Sequence, residues 1–143
     1  IPESIQLLNT IRDQGVQVVL LSGTPRPLAE PLISHLGLTE AICAEPIIEH
    51  HYYTGGLIQP HPRGLYKVRY IDDWLSSHQR DWEGSIAMAD HWHDRHLLSK
   101  VSIPITVHPK KNLRKLALQK DWLILSNPSD LDHVTQRVIE NIK

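Results

Sequence analysis

The sequence predicts an α/β fold of three layers, a mainly parallel sheet with helices on both faces. Three observations carry that reading. Short runs rich in β-branched residues alternate with helical apolar stripes along the 143 residues, the pattern of strands joined by helical crossovers. Small polar or acidic residues follow two of the strand-like runs, where open α/β sheets bind ligands. The length suits one core that buries roughly two thirds of the unfolded surface, so residues 1–143 read as a single domain.

The elements follow in order. Over residues 2–15, Ile5, Leu8 and Ile11 recur at helical spacing, with Pro2 suited to a first turn and Gly15 to the C-terminal end. Residues 16–21, VQVVLL, read as a buried strand that stops at Ser22, Gly23, Thr24 and Pro25. Leu28, Leu32 and Leu36 form the next helical stripe, closed by Gly37, with Pro31 expected to kink it or delay its start. Residues 41–49 are strand-like, and residues 52–58, YYTGGLI, carry the Gly-rich centre expected of a hairpin.

Residues 59–64, QPHPRG, form a loop, and the helix after it places Leu65, Val68, Ile71 and Leu75 on one face with Lys67 in its first turn. Residues 85–88, SIAM, are the next buried strand, ending at Ala89 and Asp90. A short helix over residues 91–100 turns Leu97 and Leu98 inward, and strand, helix and strand follow at residues 103–107, 109–120 and 122–125. Ser129 and Asp132 have the spacing of a helix cap, before a last amphipathic helix bearing Leu131, Val134, Val138 and Ile142.

Composition removes several functions. With 22% charged residues and a net charge of −1, nothing favours nucleic acid or an anionic membrane, and a small ligand is expected. No apolar run approaches the ~20 residues that a membrane helix needs. The single cysteine, Cys43, excludes an internal disulfide and a Cys-based zinc site, and fits a reducing, cytoplasmic setting. The sequence opens at Ile1 without Met or a leader, in a helix with no strand before it, so a longer parent polypeptide is expected.

If the strand-end loops share one edge, that edge gathers Ser22, Gly23, Thr24, Asp90 and Asp94, with Lys67 arriving from a helix start. These groups suit a phosphate and a magnesium ion. The Ser22 hydroxyl and the amides of Gly23 and Thr24 are donors for phosphoryl oxygens, and the Lys67 ammonium is a compact positive charge for the same group. Asp90 suits a hard dication, while Asp94, one helical turn on, is placed to hold Lys67 or a metal-bound water. Alone, Ser22 is an ordinary turn residue and Lys67 an ordinary helix lysine; Asp90 and Asp94 could be a cap and a surface acid. Their joint order is what promotes them.

That order resembles the haloacid dehalogenase superfamily of phosphohydrolases, in its phosphoserine-phosphatase-like branch. The resemblance runs through the helix of residues 2–15, Ser22 in VVLLSGTP, the hairpin at YTGGLI, Lys67 in RGLYKV, Asp90 and Asp94 in MADHWHD, and VHPKKNLRKLA. It implies a Rossmann-like core, Mg2+ as cofactor, Ser22 on the phosphoryl group, Lys67 as the third-motif lysine, Asp90 as metal ligand and Asp94 as its partner carboxylate. Its implied substrate is a small phosphorylated metabolite.

Departures accompany it. The family usually has glycine at the place of Ala89, a small residue at His91 and often proline or another nonbasic residue near His96, so a bulkier and more basic site is expected. The family's first motif, a strand ending in Asp-x-Asp that supplies nucleophile and acid/base, would precede Ile1. Asp130-Leu131-Asp132 is no substitute, because helix capping explains it better. Alone, the chain is expected not to hydrolyse phosphate esters, and the first strand should leave a gap between the strands ending at Ser22 and Asp90. The branch's helical cap is also expected to lie outside this chain. Two rival readings remain: a noncatalytic binding protein of the same fold, and a zinc hydrolase using His91, His93 and His96 in HWHDRH, whose aspartate stands one place early for the usual zinc pattern.

Overall fold

The computed structural model describes residues 2–142; Ile1 and Lys143 lie outside the described residues. Helix α1 (Pro2–Asp13) buries Leu7 and Ile11. Gly15, at φ +81°, then turns the chain through a region glycine enters without steric cost. Strand β1 (Val19–Pro25) starts later than its apolar run and continues through the residues read as a loop. Pairing is the reason: β1 lies parallel to β2 (Glu40–Ala44), and their register resumes at Pro25 opposite Ala44 after an irregularity beyond Leu21.

Between them, α2 (Arg26–His35) begins at once, with Pro27 in the first turn, and it carries Pro31 within its length. Its buried residues are Ala29 and Ile33, which pack with Cys43 and Leu20. The expected stripe of Leu28 and Leu32 is instead 72% and 48% exposed. The alternation of leucines marked a real helix but not its packed face.

Strands β3 (Pro46–Glu49) and β4 (Tyr52–Leu57) form an antiparallel hairpin whose turn is not at the glycines. His50 and His51, at φ +51° and +69°, make the turn with the paired positive dihedrals that tight hairpins favour. Gly55, at φ +85°, lies in β4 between Tyr53 and Leu57, across which the pairing shifts register.

Helix α3 (Leu65–Ser77) leads to β5 (Ile86–Ala89), a 3₁₀ turn (Trp92–Asp94) and α4 (Arg95–Lys100), which buries Leu97 and Leu98. Strand β6 (Ile103–Val107), α5 (Lys111–Lys120), β7 (Leu123–Leu125), a second 3₁₀ turn (Pro128–Asp130) and α6 (Leu131–Ile142) complete the order. Strands β5, β6 and β7 are parallel neighbours. Leu7 and Ile11 of α1 join Ile103, Ile105, Leu125, Val134 and Val138 in the main core. The fold is therefore α/β, with parallel strands and crossover helices.

Among the described residues, β1 pairs only with β2 and β5 only with β6. The facing edges of β1 and β5 are separated by a cleft of about 1290 Å³. Its walls include Ile5 and Leu8 of α1, Leu32 of α2, and Ile71 and Leu75 of α3. Several of the apolar positions that the helical periodicity picks out thus face this cleft.

The cap ahead of the last helix stands two positions earlier than Ser129 and Asp132 imply, on the 3₁₀ turn that leads into it. Asn127 and Asp130 make the reciprocal cap, with Asp130 Oδ2 accepting from the amides of Ser126 and Asn127 at 2.9 Å each. The Ser126 amide first, and the Asn127 amide with it, hold the Asp130 carboxyl below its ordinary 3.8. The depressed value means that this stabilisation is fully present above pH 3.8 and disappears as pH falls through the lower folded-state value. Asp130→Ala should cost about 1 kcal/mol at neutral pH. Urea denaturation should show the difference from the unsubstituted protein shrinking once the pH is taken below that value.

Candidate active site

The cleft between β1 and β5 collects the acidic, basic and hydroxyl groups at one end. Ser22, Gly23, Lys67, Asp90 and Asp94 all line it. Three separate elements deliver them: β1 carries Ser22 and Gly23, the first turn of α3 carries Lys67, and the segment after β5 carries both aspartates.

Lys67 Nζ lies 2.8 Å from Asp94 Oδ1, with the two side chains only 16% and 9% exposed. Asp94 closes the 3₁₀ turn and precedes α4 without capping it by its side chain. Its carboxylate is therefore committed to the lysine. This pair ties α3 to the β5–α4 connection, and it leaves the second oxygen of Asp94 and two Lys67 protons for a ligand in the cleft.

Asp90 behaves differently. It is exposed, and its carboxylate makes no hydrogen bond or ion pair among the described residues. Nor does it cap the turn that follows, because that place is taken by His91, whose Nδ1 accepts from the His93 amide at 3.1 Å. An aspartate at a strand end, free of structural partners, is available for a cation.

Ser22 is half-buried, and its Oγ accepts from the Thr24 amide at 3.1 Å. That turn uses up the Thr24 amide, and Thr24 is exposed and outside the cleft lining. Of the three expected phosphate donors after the first strand, Ser22 and Gly23 thus lie at the cleft and Thr24 shapes the loop. A side chain at position 23 is impossible without movement: a Cβ there would meet His61 Cε1 at 2.7 Å.

The histidines do not gather as a zinc pattern requires. The rings of His91 and His93 stack at 4.6 Å, and His93 Nε2 pairs with Arg63 Nη2 at 2.9 Å. Loss of hydration first, then the charge of Arg63 and the neighbouring His91, keeps His93 below the ordinary imidazole value. Among the described residues, no three His, Cys, Asp or Glu side chains are grouped around a common metal position. His61 and Arg63 are the additions from the structure. Both stand in the QPHPRG loop, which carries no motif that marks them as site residues.

The cleft has a further polar feature on its apolar wall. Trp74 lines it, and its buried indole N–H has no hydrogen-bond partner among the described residues. An orphaned buried donor is costly, so the position favours an acceptor brought into the cleft.

The family of haloacid dehalogenase-like hydrolases matches the chain over residues 1–99. Phosphoserine phosphatase SerB1 of Mycobacterium tuberculosis is 29% identical over 112 residues, covering 78% of this chain and 36% of that protein. A Streptomyces azureus protein named for inhibition of morphological differentiation is 25% identical over 123 residues, covering 86% of this chain and 44% of its own. The chain spans less than half the length of these curated relatives. Among solved structures, a Bordetella pertussis Tohama I protein of unknown function superposes with a TM-score of 0.81 at 21% identity, over 88% of this chain and 58% of that one. A substrate-bound phosphoserine phosphatase gives 0.71 at 18% identity, over 97% of this chain and 62% of its own. At these identities the structural likeness establishes a shared fold.

Because Lys67 and Asp94 are buried together, removing one charge should be worse than removing both. Lys67→Met should destabilise the protein by about 3 kcal/mol. The double variant Lys67→Met/Asp94→Leu should recover a large part of that loss in urea denaturation. With Asp94→Leu also measured alone, a loss in the double variant equal to the sum of the two single losses would show that the pair contributes no coupling.

Proposed function

The chain belongs to the haloacid dehalogenase-like hydrolase family, and we propose that it forms the larger part of a magnesium-dependent phosphomonoester hydrolase. One observation carries the reading: the buried 2.8 Å pair of Lys67 and Asp94 stands in the same cleft as Ser22, Gly23 and the unpartnered Asp90. Phosphoryl transfer depends mainly on positioning and charge neutralisation, which is what this set offers.

In the proposed reaction, Ser22 Oγ and the Gly23 amide orient phosphoryl oxygens by hydrogen bonds. Lys67 neutralises charge on the same oxygens, and Asp94 holds the lysine against the cleft wall. The donor set also fits a hard dication. Magnesium commonly takes one or two carboxylates and completes its shell with water and phosphate oxygens. Asp90 would hold it, with the second oxygen of Asp94 directed to its hydration shell. The ion, when bound, would supply further neutralisation of phosphoryl charge.

The carboxylate nucleophile of the proposed chemistry comes from outside this chain, on a strand that enters the cleft between β1 and β5. That carboxylate attacks phosphorus, the ester oxygen leaves as the alcohol with a proton from a neighbouring acid, and water then releases phosphate from the aspartyl-phosphate. Support for such a strand comes from the unpaired facing edges, the apolar cleft walls and the orphaned Trp74 donor. The substrate in this reading is a small phosphorylated metabolite in the cytoplasm, with no role for nucleic acid or membrane. Among the described residues, no helix is long and apolar enough to cross a membrane.

The test is Asp90→Asn in the full polypeptide, measured by phosphate release from phenyl phosphate with and without Mg2+. Turnover should fall by about a hundredfold or more. The melting temperature should move by less than about 3 °C, because Asp90 has no structural partner. Unchanged turnover would remove Asp90 from the site.

A further inference from the structure

The loop before α3 is pinned across the same end of the cleft. His61 Nε2 lies 2.8 Å from the Gly23 carbonyl oxygen, Pro62 is buried, and its carbonyl oxygen lies 3.5 Å from where a Gly23 Cβ would be. Gly64 follows at φ +55° and ψ −125°, a conformation that side chains resist, and opens α3. Arg63 is held between these two fixed points. Its backbone carbonyl accepts from the Tyr66 amide at 3.1 Å, and its guanidinium reaches His93 Nε2 at 2.9 Å. The loop therefore links the end of β1 to the segment after β5.

The polarity of that link is uniform. Arg63 donates, so His93 Nε2 is the acceptor and Nδ1 carries the ring proton. His91 Nδ1 accepts from the His93 amide, so its Nε2 carries the proton. Arg63 has no carboxylate within ion-pair distance among the described residues. Arg95 offers a contrast, for its guanidinium lies over the Trp92 ring and donates to the Trp92 carbonyl oxygen. One exposed guanidinium and two stacked imidazoles thus keep N–H groups for which no hydrogen-bond acceptor lies among the described residues.

We propose that Arg63, with His91 and His93, forms an anion-recognition rim that binds a second negative group of the phosphorylated substrate, a carboxylate or a further phosphate. The proposal rests on the phosphohydrolase reading for the word substrate, but the rim exists independently of it. Its members lie outside the cleft lining, whereas Ser22, Gly23 and Lys67 line it. Two sets of donors at different depths suit a ligand with two anionic groups, one seated in the cleft and one at its mouth. A guanidinium fork matches the two oxygens of a carboxylate or a phosphate. The rim therefore selects phosphorylated acids or bisphosphates over esters with neutral tails.

Two measurements on the full polypeptide test this. In the first, malonate, a dianion without a phosphoryl group, is titrated while the His91 and His93 ring signals are followed by NMR. The signals should shift in the unsubstituted protein and the shift should be lost in Arg63→Gln; no shift in the first, or an equal shift in both, overturns the proposal. In the second, the ratio of kcat/KM for phosphoglycolate to that for phenyl phosphate should fall about tenfold or more in Arg63→Gln and be partly restored in Arg63→Lys. An unchanged ratio, with both esters affected alike, overturns it as well. If malonate binds as expected but neither ester is turned over by the unsubstituted protein, the hydrolase reading fails while the anion rim stands.

Discussion

The end of the cleft that gathers Ser22, Lys67, Asp90 and Asp94 depends on burying one ammonium against one carboxylate. Lys67 and Asp94 could not be buried singly, since each lone charge would lose its hydration with nothing in return. Together they lie 2.8 Å apart and fix the first turn of α3 against the 3₁₀ turn ahead of α4. Leu97 and Leu98 of α4 are buried just beyond, so the ion pair and the apolar packing agree on where that helix starts. Asp90 and the two histidines between the aspartates take their positions from that anchored segment.

A second constraint runs through the middle of the fold. Apolar side chains from α1, α2, α3, β1 and β5 converge on a cleft instead of on one another. Such residues are ordinarily recruited to a packed interior, and strand edges are ordinarily paired or protected. Here the main core, formed by α1, α6 and the β5–β7 sheet, is closed, and so is the smaller cluster of Ala29, Ile33 and Cys43. The cleft between them has the lining of a core and the hydrogen-bonding edges of a sheet. Both features suit an extended segment.

The basic surroundings of the two aspartates have a structural as well as an electrostatic side. His91 caps the turn through its Nδ1, and its stacking partner His93 receives Arg63. These histidines are thus integrated into the loop through Arg63 and the turn amide. Arg95 is likewise occupied by Trp92, which leaves Arg63 as the guanidinium at this rim with capacity to spare.

Periodicity and residue chemistry determined much of this protein from the sequence alone. The alternating strands and helices, the inward Leu97 and Leu98, and the terminal helix with Val134 and Val138 follow from local patterns, and the grouping of Ser22, Lys67, Asp90 and Asp94 from their joint order at the strand ends of a parallel sheet. Such patterns report how a residue prefers to be placed on its own element. Only the tertiary structure decided which face of α2 is packed, since Leu28 and Ile33 are equally apolar in sequence and differ only in what lies opposite. It likewise moved the hairpin turn from the glycines to His50 and His51, withdrew the Thr24 amide into a loop, and brought Arg63 to His93 across 30 positions of sequence. The physical reason is common to these cases: partner identity, strand register and loop closure are set by contacts distant in sequence, which no local spacing encodes.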